Sequence, residues 1–239
     1  MRKAMLMLLL ICVVCGCGKK NPTLEPVNTF SVGNAQVPTL TDKPTAEELY
    51  TAVLQFYDSF DTVSASCELA VRTIGDAKVE DDSASGVKAG TTTRRVEYRY
   101  KKPNRELTII DNMFTSVPSG DEKRKHPVAA WLRLDPRIDP GSARTIDHMT
   151  LLNNSTVNGD QVYVLELRLP SQKLKQNFYS PEVRRFFIGK TDLLPRKIEV
   201  IQEHKMPVKA LACESATTRF SGMMVNEPVP DGIFTLQRY

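Results

Sequence analysis

Val183–Glu203, VRRFFIGKTDLLPRKIEVIQE, decides how the rest of the chain is read. Two apolar-rich runs flank Lys190-Thr191-Asp192, a polar turn of hairpin length. In the second run Leu194, Ile198 and Val200 fall on one face, and Lys197, Glu199 and Glu203 on the other. Successive side chains of a strand point to opposite faces, so this period of two marks a strand half-buried in a sheet. One hairpin is not stable alone in water. It needs further strands and a cover over its apolar face.

Further strands are present on both sides. Val63, Ala65, Cys67, Leu69 and Val71 alternate with Ser64, Ser66, Glu68 and Arg72, and Val96, Tyr98 and Tyr100 stand opposite Arg95, Glu97 and Arg99. Lys102-Pro103-Asn104 turns the chain into Glu106–Ile110, and Asp111-Asn112 precedes a short return over Met113–Val117. Thr145–Ser155 and Gln161–Leu169 flank Asn158-Gly159, the strongest short hairpin signal, with Tyr163, Leu165, Leu167 and Leu169 on one face. Ser171–Pro181 reads as a loop, and Val208–Val225 and Phe234–Arg238 as closing strands. Against them stands one helix. Thr45 with Glu48 forms a capping-box pattern after Pro44, and Leu49, Val53, Phe56, Tyr57 and Phe60 make one helical stripe. The fold class is mainly β (α+β): eight to ten antiparallel strands and one long helix.

The N-terminus belongs to no such domain. Arg2 and Lys3 precede an apolar run of about ten residues from Ala4, too short for a membrane span and right for a signal peptide. Val14-Cys15-Gly16-Cys17 resembles a bacterial lipobox, which makes residues 1–16 a lipoprotein signal peptide and Cys17 the site of lipid attachment, such as palmitate. An ordinary cleaved secretory signal is the alternative. Residues 17–43 then form a lipid-anchored tether, with Pro22, Pro26 and Pro38 and no periodicity, and residues 44–239 form the domain. A flexible coil of 26 residues, Gly18–Lys43, spans roughly 28 Å, and on the order of 85 Å when stretched.

Loss of Arg2 and Lys3 lowers the net charge of +4 to about +2, too balanced for nucleic acid, which demands a dense basic face. Cys67 and Cys213 could be joined as a disulfide outside the cytoplasm, or remain buried thiols. No nucleophile elbow, phosphate loop, dinucleotide fingerprint or histidine metal pair occurs, so no catalytic residue, metal or cofactor is expected. His126, His148 and His204 lie far apart. Asp81–Gly86 opens like a calcium loop but has Thr92 where a bidentate Glu is required, and Asp135 and Asp139 each precede a proline, which suits turns. Trp131, the only tryptophan, follows Lys123-Arg124-Lys125-His126 with Val128, Leu132 and Leu134 nearby. It could pack into the core, plug the mouth of the sheet, or dock on an anionic membrane, where each cation contributes about 1 kcal/mol.

The order of these stretches resembles the bacterial LolA-like and LolB-like lipoprotein carriers and receptors, and the related N-terminal domain of the stress regulator RseB. The stretches are the capped helix ending Tyr57-Asp58-Ser59-Phe60, then Tyr98–Asn104, Asn158-Gly159 before Val162–Leu167, Thr191–Val200, and Asn226–Phe234. The resemblance implies an incomplete antiparallel β-barrel, or curved sheet, wrapped over the N-terminal helix and a short lid segment. It also implies a non-catalytic protein with an apolar cavity for lipid or lipoprotein acyl chains. The lining expected is Leu69, Val71, Val96, Tyr98, Tyr100, Leu107, Ile109, Trp131, Leu165, Leu167, Ile198 and Val200. An envelope sensor or adaptor acting on another envelope protein is the alternative, as is a structural lipoprotein with a filled core. A monomer is expected, anchored in the envelope. Gly18 supplies no Asp retention signal after Cys17, which by analogy points to the outer membrane facing the periplasm.

Overall fold

The computed structural model describes residues 26–74, 90–103, 105–111, 113–116, 127–134, 145–174, 177–202 and 212–234. The signal peptide, Cys17, the 81–86 loop, Lys123–His126, Asp135, Asp139, His204 and residues 235–239 lie outside them.

One antiparallel sheet dominates. Its strands are β2 (Thr62–Ile74), β3 (Gly90–Lys101), β4 (Arg105–Ile110), β5 (Met113–Ser116), β6 (His148–Val157), β7 (Asp160–Leu169), β10 (Glu182–Gly189), β11 (Pro195–Gln202) and β12 (Ala212–Val225). A two-residue β1 (Phe30–Ser31) precedes them, and β8 (Gln172–Leu174) pairs with β9 (Asn177–Tyr179) as a separate ladder where sequence reading expects only a loop. Among the described residues the order across the sheet is β5-β4-β3-β2-β12-β11-β10-β7-β6, open at both ends, so this is an unclosed curved sheet and not a barrel. The described helices are α1 (Ala46–Asp58) and α2 (Pro127–Trp131). Neither is long and apolar enough to cross a membrane.

The expected turn chemistry is in place. Asn158 and Gly159 both take positive φ (52° and 91°) between β6 and β7, as a two-residue hairpin that matches strand twist requires. In the β10–β11 hairpin a Cβ on Gly189 would lie 2.4 Å from Asp192 Oδ1, so only glycine lets that carboxylate reach the Leu194 N–H at 3.0 Å. Thr45 and Glu48 cap α1 reciprocally: the Glu48 N–H donates to Thr45 Oγ1 (3.2 Å) and the Thr45 N–H to Glu48 Oε2 (2.7 Å).

The segment expected as a free tether is attached from its first described residues. Val27 is buried, donates its N–H to Ser66 Oγ (2.6 Å), and accepts from Ser221 Oγ (3.2 Å). β1 runs parallel to β12, with Phe30 opposite Met223. The Arg196 guanidinium lies 3.8 Å above the Phe30 ring. Val32, Ala35, Val37 and Leu40 pack against the main core. Among the described residues, Val27–Leu40 thus pack with the sheet and core, ahead of residue 44. These apolar side chains have no repeat, so periodicity could not reveal a strap held by scattered contacts.

Candidate functional site

The concave face of the sheet is built by alternation. From β2 it receives Val63, Ala65 and Cys67, from β3 Val96, Tyr98 and Tyr100, from β7 Leu165, Leu167 and Leu169, from β10 Phe186 and Ile188, from β11 Ile198 and Val200, and from β12 Phe220, Met223 and Val225. Leu69 is half-buried and packs against this cluster, and Val71 is half-buried farther along β2. Ten of the twelve expected lining residues thus fall on this side. The other two do not. Leu107 pairs with Arg99 and Ile109 with Glu97, which puts both on the convex face, while Thr108 and Ile110 take the inner positions opposite Tyr98 and Val96. The run Leu107-Thr108-Ile109-Ile110 offers apolar groups to both faces, so only the register chooses between them.

Two helices cover the concavity. α1 inserts Leu49, Tyr50, Val53, Phe56 and Tyr57, and Phe60 follows, its ring 4.8 Å from that of Phe56 in an edge contact. The Tyr57 hydroxyl donates to the Leu193 carbonyl (2.9 Å), fixing the helix to the turn between β10 and β11. Burial, helped by the nearby Asp192 carboxylate and opposed by Arg196, pushes that hydroxyl well above the usual phenol range, so it stays a donor. α2 enters from the other side. Trp131 stacks on Tyr98 (centroids 3.9 Å apart, planes within 7°) and meets Phe220 edge-on at 6.0 Å. Val128, Ala129, Leu132 and Leu134 are buried beside it. The short helix packed into the core is therefore what forms here.

The β10–β11 hairpin carries a feature that alternation hides. Glu182 and Arg184 share parity with Phe186 and Ile188 and so point into the concave side. Their side chains form an ion pair, 6% and 4% exposed respectively. Arg184 also donates to the Arg133 carbonyl (2.7 Å), two residues beyond α2, where Arg133 holds a positive φ of 55°. This arginine ties the end of the α2 segment to the sheet. Its signal in sequence is one charge pair at inward parity.

Among the described residues the space expected as a cavity is occupied by the chain's own side chains. Tyr98, Leu165 and Leu167 are fully buried, and Phe186 and Phe220 are 2% exposed. Two open recesses, of about 330 and 400 Å³, lie elsewhere: one beside Asp61, Lys101 and Asn226, the other between α1 and Met149 of β6.

Cys67 is a free, buried thiol, pushed up to about 12 by burial and by Glu97. It is not bridged to Cys213. In the β2–β12 register Cys67 stands opposite Phe220 and Cys213 opposite Thr73, six positions along β2. That is roughly 20 Å at strand rise, against the 4.4–6.8 Å between Cα atoms that a disulfide spans. No group of three or more His, Cys, Asp or Glu with metal-binding geometry occurs among the described residues.

No family model and no curated protein matches the sequence. Solved structures do. Lipoprotein LppX of Mycobacterium tuberculosis shares 13% identity over 77% of this chain and 95% of that one, with a TM-score of 0.34. A LolA-superfamily protein of Nitrosomonas europaea shares 16% over 80% and 98%, with a TM-score of 0.27. MucB of Pseudomonas aeruginosa, solved with MucA, shares 13% over 81% of this chain and 61% of that one, with a TM-score of 0.34.

Proposed function

We propose that the protein is a non-catalytic envelope lipoprotein, cleaved after residue 16 and acylated at Cys17, that receives acyl chains on its concave face when the α2 segment withdraws. One observation carries this reading. An apolar wall running across β3, β2, β12, β11, β10 and β7 is covered on one side by a five-residue helix, joined to the sheet by the Tyr98–Trp131 stack and the Arg184–Arg133 hydrogen bond.

Magnitudes make the exchange feasible. Exposing Val128, Leu132, Leu134 and Trp131 costs on the order of 6–12 kcal/mol, at about 1.5–3 kcal/mol per large apolar side chain. An acyl chain of about ten methylenes gains roughly 8 kcal/mol in the vacated space. Such a wall has little polar chemistry with which to discriminate among chains. The anchor would face the periplasm from the outer membrane.

The test uses Trp131 as the sole tryptophan reporter in a full chain carrying Cys17→Ser. Titration with palmitate should shift its emission to the red saturably, and mass spectrometry of the purified protein should find fatty acid or phospholipid. Unchanged emission together with a lipid-free protein overturns the reading. A scaffold with a permanently filled core is favoured by the full burial of Tyr98, Leu165 and Leu167. In that case Leu167→Phe destabilises by roughly 1–3 kcal/mol without any ligand effect.

A further inference from the structure

β6 ends one side of the sheet, and among the described residues no strand pairs with its outer edge. Its sequence, HMTLLNNSTV, contains no Lys, Arg, Asp, Glu or Pro, the residues that usually protect an open edge. One bulge between Leu152 and Ser155 interrupts it, leaving His148–Leu152 regular. Directly inside this edge, Glu47, Tyr50, Thr51, Leu54, Gln55 and Asp58 of α1 face Met149 across the open groove of about 400 Å³. These helix positions recur every three or four residues, so the groove follows α1 for about 16 Å. Its lining is mostly apolar, and its only charged side chains, Glu47 and Asp58, are both acidic.

We propose that this groove binds an extended segment of a partner protein, which adds to β6 as a further strand and carries alternating apolar and basic residues. The open edge offers a row of backbone donors and acceptors that only another backbone satisfies along its length. Every second side chain of an added strand would point inward, over the line continued from Met149 and Leu151 toward Leu54 and Tyr50. Basic residues of the segment would meet Glu47, which is exposed at the rim. Two carboxylates disfavour a fatty-acid headgroup. A second copy of β6 would bring no cation to them. The inference stands apart from the acyl-chain reading, since the groove lies outside the filled concavity.

The experiment measures anisotropy of a fluorescein-labelled Lys-Val repeat decapeptide with the full chain carrying Cys17→Ser, and follows hydrogen exchange of the β6 amides. Saturable binding is expected, with new protection at Met149–Leu152. Filling the groove at an exposed helix position by Thr51→Trp should weaken binding at least about tenfold, as should two central prolines in the peptide. Glu47→Lys should weaken it several-fold. No saturation up to about 1 mM peptide, or equal binding to Thr51→Trp, overturns the proposal. So does displacement by dodecanoate without β6 protection, which would make the groove a lipid entrance. Protection that grows with protein concentration alone would make it a contact between copies, and overturns it equally.

Discussion

Tyr98 and Arg99 are neighbours in β3, almost equally buried, and surrounded by opposite chemistry. On the concave side Tyr98 is stacked by Trp131 inside an apolar cluster closed by two helices. On the convex side Arg99 donates to the carbonyls of Ala65 (3.2 Å) and Tyr98 (2.9 Å) and lies against Glu97, whose carboxylate accepts from Ser66. Ser66 in turn accepts from Val27 of the strap. Around Tyr98 the sheet is thus held by non-directional burial, which tolerates exchange of one apolar group for another. Around Arg99 it is held by a directional network in which each removed partner strands a buried charge. Burial pulls the Arg99 guanidinium below its usual range while Glu97 opposes that fall.

Substitutions can break this contrast in order of size. Phe220→Ala removes a ring 2% exposed that meets Trp131, and should cost about 3–5 kcal/mol in urea unfolding. On the convex side Glu97→Gln keeps the shape but removes the charge opposite Arg99, and should cost about 1–3 kcal/mol. If both cost the same, the two faces do not differ in kind as described. Gly222→Ala probes the strap itself, because its new Cβ would lie 2.5 Å from the Thr29 nitrogen and 2.6 Å from the Val27 carbonyl oxygen. The expected result is release of residues 26–31, seen as proteolysis there, with a global loss of only about 1 kcal/mol.

Acid separates the faces more gently. Glu166, outward on β7, bonds Arg185 (2.8 Å) and Arg168 (2.9 Å). Burial opposes its charge, but the two arginines outweigh that and hold the carboxyl below its ordinary range. A carboxylate lowered on folding stabilises above its unfolded pKa, and that contribution fades as pH falls through the folded value. Wild-type stability should therefore drop below about pH 4, and Glu166→Gln should flatten that part of the profile. An unchanged profile would mean that the two arginines contribute nothing measurable.

What the sequence revealed tracks how regular each feature is. The cap at Thr45, the Asn158-Gly159 turn and the inward set from Val96 to Val200 were legible because each follows a fixed period or a required backbone angle. Leu107 and Ile109 were misplaced because a run apolar on both faces has no phase of its own. The proposed Cys67–Cys213 pair failed on register, a long-range quantity that residue types do not encode. The filling of the concavity was also hidden. It depends on α2, five residues long, whose docking rests on one stacked ring and on Arg184. The strap gave no signal either, since Val27 and Phe30 belong to no repeat.

That strap resets a distance. With Val27 fastened to the sheet, the sequence between the proposed anchor at Cys17 and the described fold is the eight residues Gly18–Glu25, not the 26 of Gly18–Lys43. Nine backbone steps from Cys17 to Pro26 cover at most about 30 Å. If the proposed lipid sits on Cys17, the sheet is therefore held within about 30 Å of its anchor, about a third of the reach of a free 26-residue tether.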